Sequence, residues 1–335
     1  MLLSVLDQSL IVSGSTAHAA ITNTVTLARQ CEALGYHRFW LSEHHSATTM
    51  AGTAPEILLG ALTQATSKIR LGAAGIMLPH YSAFKIAEQF RVLEALAPGR
   101  IDLGVGRAPG GDMRTAFALN PQANDAAKYF PAQIRDLIAW VSNTALPENH
   151  PFHGVTAYPL GPTNPQFWVL GSSDYGAQLA AHFGLPYAFA YFFNDGEGAA
   201  QALRLYHESF RPSQHLTHPY CAIAVSAFAA DTPEEAENFQ LARDVWRAER
   251  ERGRFIHWPS PSEAAAYSFT PHEDQRRLFL RSRSIAGTAS HVMQRLNELL
   301  ESLKIQEIAL VSPNHDETLR RRSFALIAKA AQLQG

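Results

Sequence analysis

Residues 69–110 read IRLGAAGIMLPHYSAFKIAEQFRVLEALAPGRIDLGVGRAPG, and this stretch decides the fold. An apolar strand rich in small residues (69–78) leads to an amphipathic helix opened by Ser82. A second strand (100–106) then runs straight into Arg107 and a Gly/Pro loop. The pattern is one β-α-β unit with a strong positive charge just past a strand's carboxyl end, where α/β sheets bind their ligands. A buried strand favours Val and Ile, so Gly72-Ala73-Ala74-Gly75 is unusual. Small side chains would let a flat ligand lie against the backbone; a bulge or a tight contact within the sheet accounts for the same run.

The alternation extends in both directions. Upstream, residues 2–6 form a short strand, and 21–34 a helix with Val25, Ala28, Cys31 and Leu34 on one face and Gly35 at its end. Residues 39–45 read as a second strand, and Thr53-Ala54-Pro55-Glu56 as a capping box for the next helix. Downstream, a helix over 122–141 precedes a loop rich in Pro, Asn and His (147–165). A strand over 167–170 enters Gly171-Ser172-Ser173 and a helix reaching Phe183. Strands at 187–192 and 220–228 flank a helix at 199–210, and Thr232 opens a long polar helix to about Arg250. Two further capping boxes, Ser260-Pro261-Ser262-Glu263 and Thr270-Pro271-His272-Glu273, mark short helices in a segment (253–283) that interrupts the rhythm. A helix at 289–303, a strand at 307–311 and a helix from Asp316 close the chain.

Eight strands alternating with helices predict an α/β fold, a closed (β/α)8 TIM barrel forming a single domain over residues 1–335. The 253–283 insertion precedes the last helix-strand unit; it reads as a lid over the barrel mouth or as a surface or subunit-contact elaboration. An open doubly wound sheet is the alternative, but the turn after Leu6 reads Asp7-Gln8-Ser9-Leu10 instead of a Gly-rich phosphate fingerprint.

Composition narrows the partners. A formal net charge of -2 with 46% hydrophobic residues gives no electrostatic case for nucleic acid or an acidic membrane, which leaves a small molecule. The 2 cysteines, Cys31 and Cys221, lie in apolar periodic segments and suggest neither a disulfide framework nor a Cys-based metal site. With no positive leader and no apolar run of about 18 residues, a cytoplasmic protein is expected.

Chemistry concentrates at predicted strand ends. Along Phe39-Trp40-Leu41-Ser42-Glu43-His44-His45, alternation sends Phe39 and Leu41 toward the outer helices and Trp40, Ser42 and His44 toward the barrel axis. Adjacent histidines diverge on a strand and no second cluster completes a ligand set, so no metal is expected. His44 suits a general base or hydrogen-bond donor, with a pKa near neutrality, or simply braces the next loop. Gly171-Ser172-Ser173-Asp174-Tyr175-Gly176 sits at a helix amino terminus, a seat for phosphate if its serines do more than cap the helix. Arg107 could supply the counter-charge. A phosphate seat, a cationic clamp and a small-residue floor together describe a phosphorylated planar cofactor, with FMN the simplest candidate.

The segments LGYHRFWLSEHH, residues 69–110, WVLGSSDYGAQLAAHFGLPYAFAYFF and HDETLRRRSFALI resemble the bacterial luciferase-like flavin monooxygenases, closest to the luciferase-like class oxidoreductase subgroup. The resemblance runs nearly end to end and weakens over 246–283. It implies reduced FMN supplied by a separate NAD(P)H:flavin reductase, molecular oxygen, an organic substrate and a homodimer packed through the helices after the second and third strands. It assigns the active-site His to His44 and a cofactor-side Glu to Glu43. It also assigns flavin support to Ala73, Ala74 and Gly75, with a cis Ala74–Gly75 peptide, and phosphate contacts to Arg107, Gly171, Ser172, Ser173, Tyr175 and Gly176. Gly106 and Gly171 replace a Cys and an acidic residue of luciferase proper, so neither light emission nor an aldehyde substrate is expected. A deazaflavin- or flavin-dependent oxidoreductase without oxygenation, a non-catalytic FMN-binding protein, and a flavin-free phosphosugar enzyme on the same barrel are the competing readings. Phe189, Tyr191 and Phe193 are candidates for lining the substrate pocket, and Phe84, Phe90 and Leu93 for the dimer contact or for packing on the barrel.

Overall fold

The computed structural model describes residues 1–108 and 110–335, so Pro109 of the Gly/Pro loop lies outside the described residues. Eight parallel strands close on themselves: β1 (Leu2–Asp7), β2 (Arg38–Leu41), β3 (Arg70–Met77), β4 (Ile101–Gly106), β5 (Gln166–Gly171), β6 (Tyr187–Phe189), β7 (Cys221–Ala229) and β9 (Glu307–Val311). The ring is completed by pairing of β6 with β7, β7 with β9 and β9 with β1. Helices follow the strands on the outside, which makes the molecule a TIM barrel. A ninth strand, β8 (Ile285–Gly287), was not foreseen; it pairs with Ala227–Ala229 of β7 above the point where β9 ends its own pairing at Ser226.

Local chemistry explains most boundaries. Ser82, Thr232 and Asp316 cap their helices through side-chain bonds to backbone N–H groups, and Ser260 and Thr270 form complete capping boxes with Glu263 and Glu273. Other expectations need correction. The first helix starts at Ala17 under a Thr16 cap. The helix Pro55–Ala65 begins after Ala54, which makes no side-chain cap, so Thr53-Ala54-Pro55-Glu56 is not a capping box. The single helix expected over 122–141 is split, and its regular part, Phe130–Val141, restarts at Pro131, whose missing N–H suits only a first turn. The second strand ends at Leu41, leaving Ser42 to His45 in the loop at the barrel mouth.

The core has two layers. Outward-facing residues such as Phe39, Leu41, Ala73 and Leu103 pack on the helices. Inside the barrel, the fully buried Trp40 and Trp168 meet edge to face at 5.0 Å, opposite the alanines of β6, β7 and β9. Two large rings from one side are accommodated by small side chains from the other, and the ring contact adds roughly 1 kcal/mol to its burial.

Below the tryptophans the barrel floor is ionic. Arg38 Nη1 donates to both Asp102 oxygens at 2.9 Å, and its Nε donates to Glu307 at 3.0 Å. Arg70 Nη2 reaches Asp102 at 2.5 Å, Trp40 Nε1 donates to Asp102 at 2.9 Å, and the Tyr220 hydroxyl donates to Glu307 at 2.8 Å. Burial alone would weaken the Arg38 cation, but the two carboxylates hold its pKa above the ordinary guanidinium value.

The insertion packs on the helix Pro233–Glu251. Its helix Pro271–Arg281 is fastened by Arg281 to Asp244 (2.5 Å) and Glu237 (2.8 Å) and by Glu273 to Arg252 (2.6 Å), while Glu263 of the helix Pro261–Ala265 accepts from the Ser13 hydroxyl at 2.6 Å. Among the described residues no helix is long and apolar enough to cross a membrane.

Candidate active site

At the carboxyl ends of the strands lies a cavity of about 240 Å³, bordered by Glu43, His44, Ala74, Gly75, Arg107, Gly171, Ser172, Ser173, Tyr175 and Gly176. The fold thus brings together nearly every residue singled out in the sequence. Ala73 is the exception: its side chain is buried in the outer layer against the helices, so only its backbone faces its barrel neighbours. Pleat alternation makes this unavoidable once Ala74 faces inward.

The small-residue run holds a bulge and tight contacts within the sheet, and part of it borders the cavity. A Cβ at Gly72 would lie 2.6 Å from the Asp102 Cβ, so this glycine is required by packing inside the floor. A bulge shifts the β3–β4 register between Ala73 and Ile76, and the Ala74–Gly75 peptide within it is cis. A Cβ at Gly75 would lie 2.2 Å from Leu170 Cδ1 and 2.7 Å from the Gly104 carbonyl oxygen. Ala74 and Gly75 alone of the run border the cavity.

The 171–176 loop is a compact cradle. A Cβ on Gly171 or on Gly176 would come within 3.4 Å or less of the other glycine's Cα, so the strand end and the helix start touch backbone to backbone. Tyr187 steadies the turn by donating its hydroxyl to the Ser173 carbonyl at 3.2 Å. Ser173 occupies the N-cap position of the helix Asp174–Phe183, yet its side chain makes no capping bond. Ordinary capping therefore does not explain this serine. Across the mouth, the exposed Arg107 guanidinium lies 4.1 Å from the Tyr175 ring centroid, which links the ends of β4 and β5.

His44 differs from its sequence reading. Its Nδ1 lies 3.2 Å from the Ser42 hydroxyl, and its backbone N–H donates to Gly52 at 3.0 Å. Burial, and secondly the positive charge of Arg250, push its pKa down to about 4. The imidazole is therefore neutral at physiological pH, a hydrogen-bonding group that does not titrate near neutrality.

Glu43, although at the cavity edge, is only 1% exposed, and its carboxylate is spent on the protein. It accepts from Met77 N–H (3.0 Å) and from the Tyr81 hydroxyl (2.6 Å), and it lies 2.5 Å from His45 Nε2. It ties the loop after β2 to the end of β3. His45, as expected, does not border the cavity. Of the aromatic candidates, Phe189 and Phe193 line it, with Phe192, while Tyr191 packs into the outer layer.

A second cavity, of about 360 Å³, shares Gln8, His44, Phe192 and Phe193 with the first. Its far side includes Arg243, Arg247, Arg250 and Trp246 from the helix Pro233–Glu251, and Trp258, Arg276 and Leu280 from the insertion. Sequence reading missed this chamber. Its only trace was an arginine series, Arg243, Arg247 and Arg250, spaced to share one helix face.

Comparisons with known proteins bear on the family and the fold. The family model described as "Luciferase-like monooxygenase" matches residues 1–307. The chain is 38% identical over 328 residues to the N-acetyl-S-alkylcysteine monooxygenase of Bacillus subtilis, covering 98% of this chain and 97% of the relative. It is similar to the crystal structure of apo-MsnO8, with a TM-score of 0.88, 30% identity and 99% of each chain covered. The oxygenating constituent of 3,6-diketocamphane monooxygenase from the CAM plasmid of Pseudomonas putida, solved in complex with FMN, shares the fold with a TM-score of 0.69 at 18% identity, covering 98% of this chain and 97% of that one. The chain belongs to the luciferase-like monooxygenase family.

Proposed function

We propose that this protein is the oxygenating component of a two-component system. It would take reduced FMN from a separate NAD(P)H:flavin reductase and use molecular oxygen to oxidise a small organic substrate. The observation that carries the reading is the cradle at 171–176 facing Arg107. Two glycines lie there in backbone contact, a serine hydroxyl is not spent on capping its helix, and no carboxylate among the described residues lies within ion-pair distance of Arg107. These features fit a phosphate.

In this reading Ser172, Ser173 and Arg107 would hold the phosphate, and Ala74 and Gly75 would support the ring system. Bound there, reduced FMN would supply the electrons that activate oxygen. The protein's own work is positioning and exclusion of water. Phe189, Phe192, Phe193 and Leu170 give the cavity apolar walls. Neutral His44, held through Nδ1 by Ser42, presents its Nε2 as the nitrogen left to donate or accept one hydrogen bond toward the reacting groups.

A homodimer is part of this proposal. Phe90 and Leu93 are buried within the chain and the partly buried Phe84 packs on Trp140, which favours their reading as packing on the barrel. The helices after the second and third strands, Pro55–Ala65 and Ala83–Leu96, expose Ile57 in the first and Val92 with Leu96 in the second. The buried free thiols of Cys31 and Cys221 accord with a reducing, cytoplasmic setting.

The test is an anaerobic titration with reduced FMN, followed by oxygen uptake in the presence of a flavin reductase. Tight binding and substrate-dependent uptake are expected. In the His44→Ala protein, FMN affinity should stay nearly intact while coupled product formation drops by about a hundredfold. Failure to bind reduced FMN, with binding of a deazaflavin instead, would replace oxygenation by hydride transfer.

A further inference from the structure

The second cavity carries more positive charge than its own acids can balance. Four arginines border it, and Glu251 is the one carboxylate among the described lining residues. Arg243 and Arg247 share a single acid, the buried Asp195: Arg247 Nη1 reaches it at 2.5 Å, and Arg243 also donates to it. Arg247 further donates to the Phe192 carbonyl at 3.1 Å, so this pair anchors the turn that separates the two chambers. Arg276 lies 3.5 Å from Glu251. Arg250 has no carboxylate within ion-pair distance among the described residues; its guanidinium stands 5.1 Å from the Trp246 ring centroid. The rest of the lining is apolar, with Leu10, Trp246, Trp258, Leu280, Val311 and Pro313.

A cationic end, apolar walls and a shared border at His44 define a ligand by its chemistry. We infer that the second cavity is the substrate chamber and that it takes an amphipathic organic anion. Its carboxylate or equivalent oxyanion would meet Arg250, and its apolar body would direct the oxidisable end past His44 into the first cavity. The inference rests on the proposed oxygenase reading for the word substrate, but the anion site itself does not depend on bound flavin. Arg250 is held by the Trp246 ring face and offers planar paired donors, the geometry that suits a carboxylate. After burial, which is the larger cause, this cation also disfavours protonation of His44 at the border.

The experiment uses the full-length protein without flavin and a panel of ω-phenylalkanoates with three to eight chain carbons, each paired with its neutral primary amide. Binding is read by calorimetry and by the fluorescence of Trp246 and Trp258. At least one carboxylate should bind roughly tenfold to a hundredfold tighter than its amide, as for one charge-assisted contact. Arg250→Gln should erase that preference and Arg250→Lys should restore part of it, with FMN affinity unchanged in both. Arg107→Ala should do the converse, weakening FMN and sparing the carboxylate. If no carboxylate outbinds its amide, or if the preference survives in Arg250→Gln, the inference falls while the flavin reading stands. Competition by FMN or by inorganic phosphate as strong as that by the carboxylates would assign the cations to the cofactor's phosphate and overturn the substrate assignment. Loss of FMN binding to the parent protein with retention of the carboxylate preference would sink the oxygenase reading and leave the anion site.

Discussion

The barrel floor and the barrel mouth both contain arginines, and they use them in opposite ways. At the floor, Arg38 and Arg70 meet Asp102, and Arg38 also meets Glu307, with Trp40 and Tyr220 supplying further donors to the two carboxylates. Each of these charges has an opposite charge in contact, and Arg38, Asp102 and Glu307 are buried. At the mouth, Arg107 and Arg250 lie against aromatic rings, and no carboxylate among the described residues pairs with either. Matched buried charges are architecture, because removing either partner strands the other in a medium that cannot solvate it. Cations left unmatched beside a cavity cost little while water reaches them and gain from an anionic ligand.

The comparison can be broken most severely at the floor. Asp102→Ala should cost about 3–5 kcal/mol, since it leaves Arg38 and Arg70 short of a counter-charge. A urea melt indistinguishable from the parent would show that the network is not structural. Close approach is tested next. Gly75→Ala places a methyl 2.2 Å from Leu170 Cδ1, whereas Gly106→Ala meets nothing nearer than Met77 Sδ at 3.7 Å. The first should lose roughly 1–3 kcal/mol and the second about 0.5 kcal/mol or less, although both glycines border the same cavity. Equal melting temperatures for the two would deny that backbone packing selects Gly75.

At the mouth the effect should shift from stability to binding. Arg107→Ala is expected to weaken FMN by several-fold to about a hundredfold while melting within about 0.5 kcal/mol of the parent. A destabilised variant with unchanged FMN affinity would invert the contrast between floor and mouth. The smallest effect concerns protons. Imidazole resonances should show His44 titrating near pH 4 instead of its ordinary 6.5, and Arg250→Gln should move it upward. Because the folded value is depressed, the unfolded chain binds the extra proton between those two values. This histidine's contribution to stability is therefore complete above pH 6.5 and declines as pH falls toward 4. A titration near 6.5 would mean that neither burial nor the cation acts on it, and an unmoved titration in Arg250→Gln would mean that the cation does not reach it.

Much of this was written locally. Strand and helix alternation, the stop at Gly35, the caps at Ser82, Thr232 and Asp316 and the boxes at Ser260 and Thr270 depend on neighbours a few residues apart, so they can be read from the chain. Arg107 and the 171–176 loop were legible as well, because a barrel puts all its strand ends on one face whatever the loops contain. Ala73 was misplaced for the opposite reason. Assigning a whole run to one ligand ignores the alternation that sends every second side chain outward.

What only tertiary structure decided lies in partnerships across long separations. Asp102 and Glu307 are 64 and 269 residues from Arg38 along the chain, and nothing near any of them announces the network. Whether Glu43 faces a ligand or is consumed by Met77 and Tyr81, and whether His44 titrates near neutrality, depends on which groups folding presses against them. The anion chamber is the plainest case. One helix supplies Arg250, the insertion supplies Trp258 and Arg276, and β9 supplies Val311, so the cavity exists only where these distant segments meet. The sequence by itself determined a closed α/β barrel with Arg107 and the 171–176 loop at its mouth, because periodicity and strand-end position are local. The tertiary structure decided which charges are matched and which stay open to a ligand, because electrostatic balance belongs to the assembled surroundings of each group.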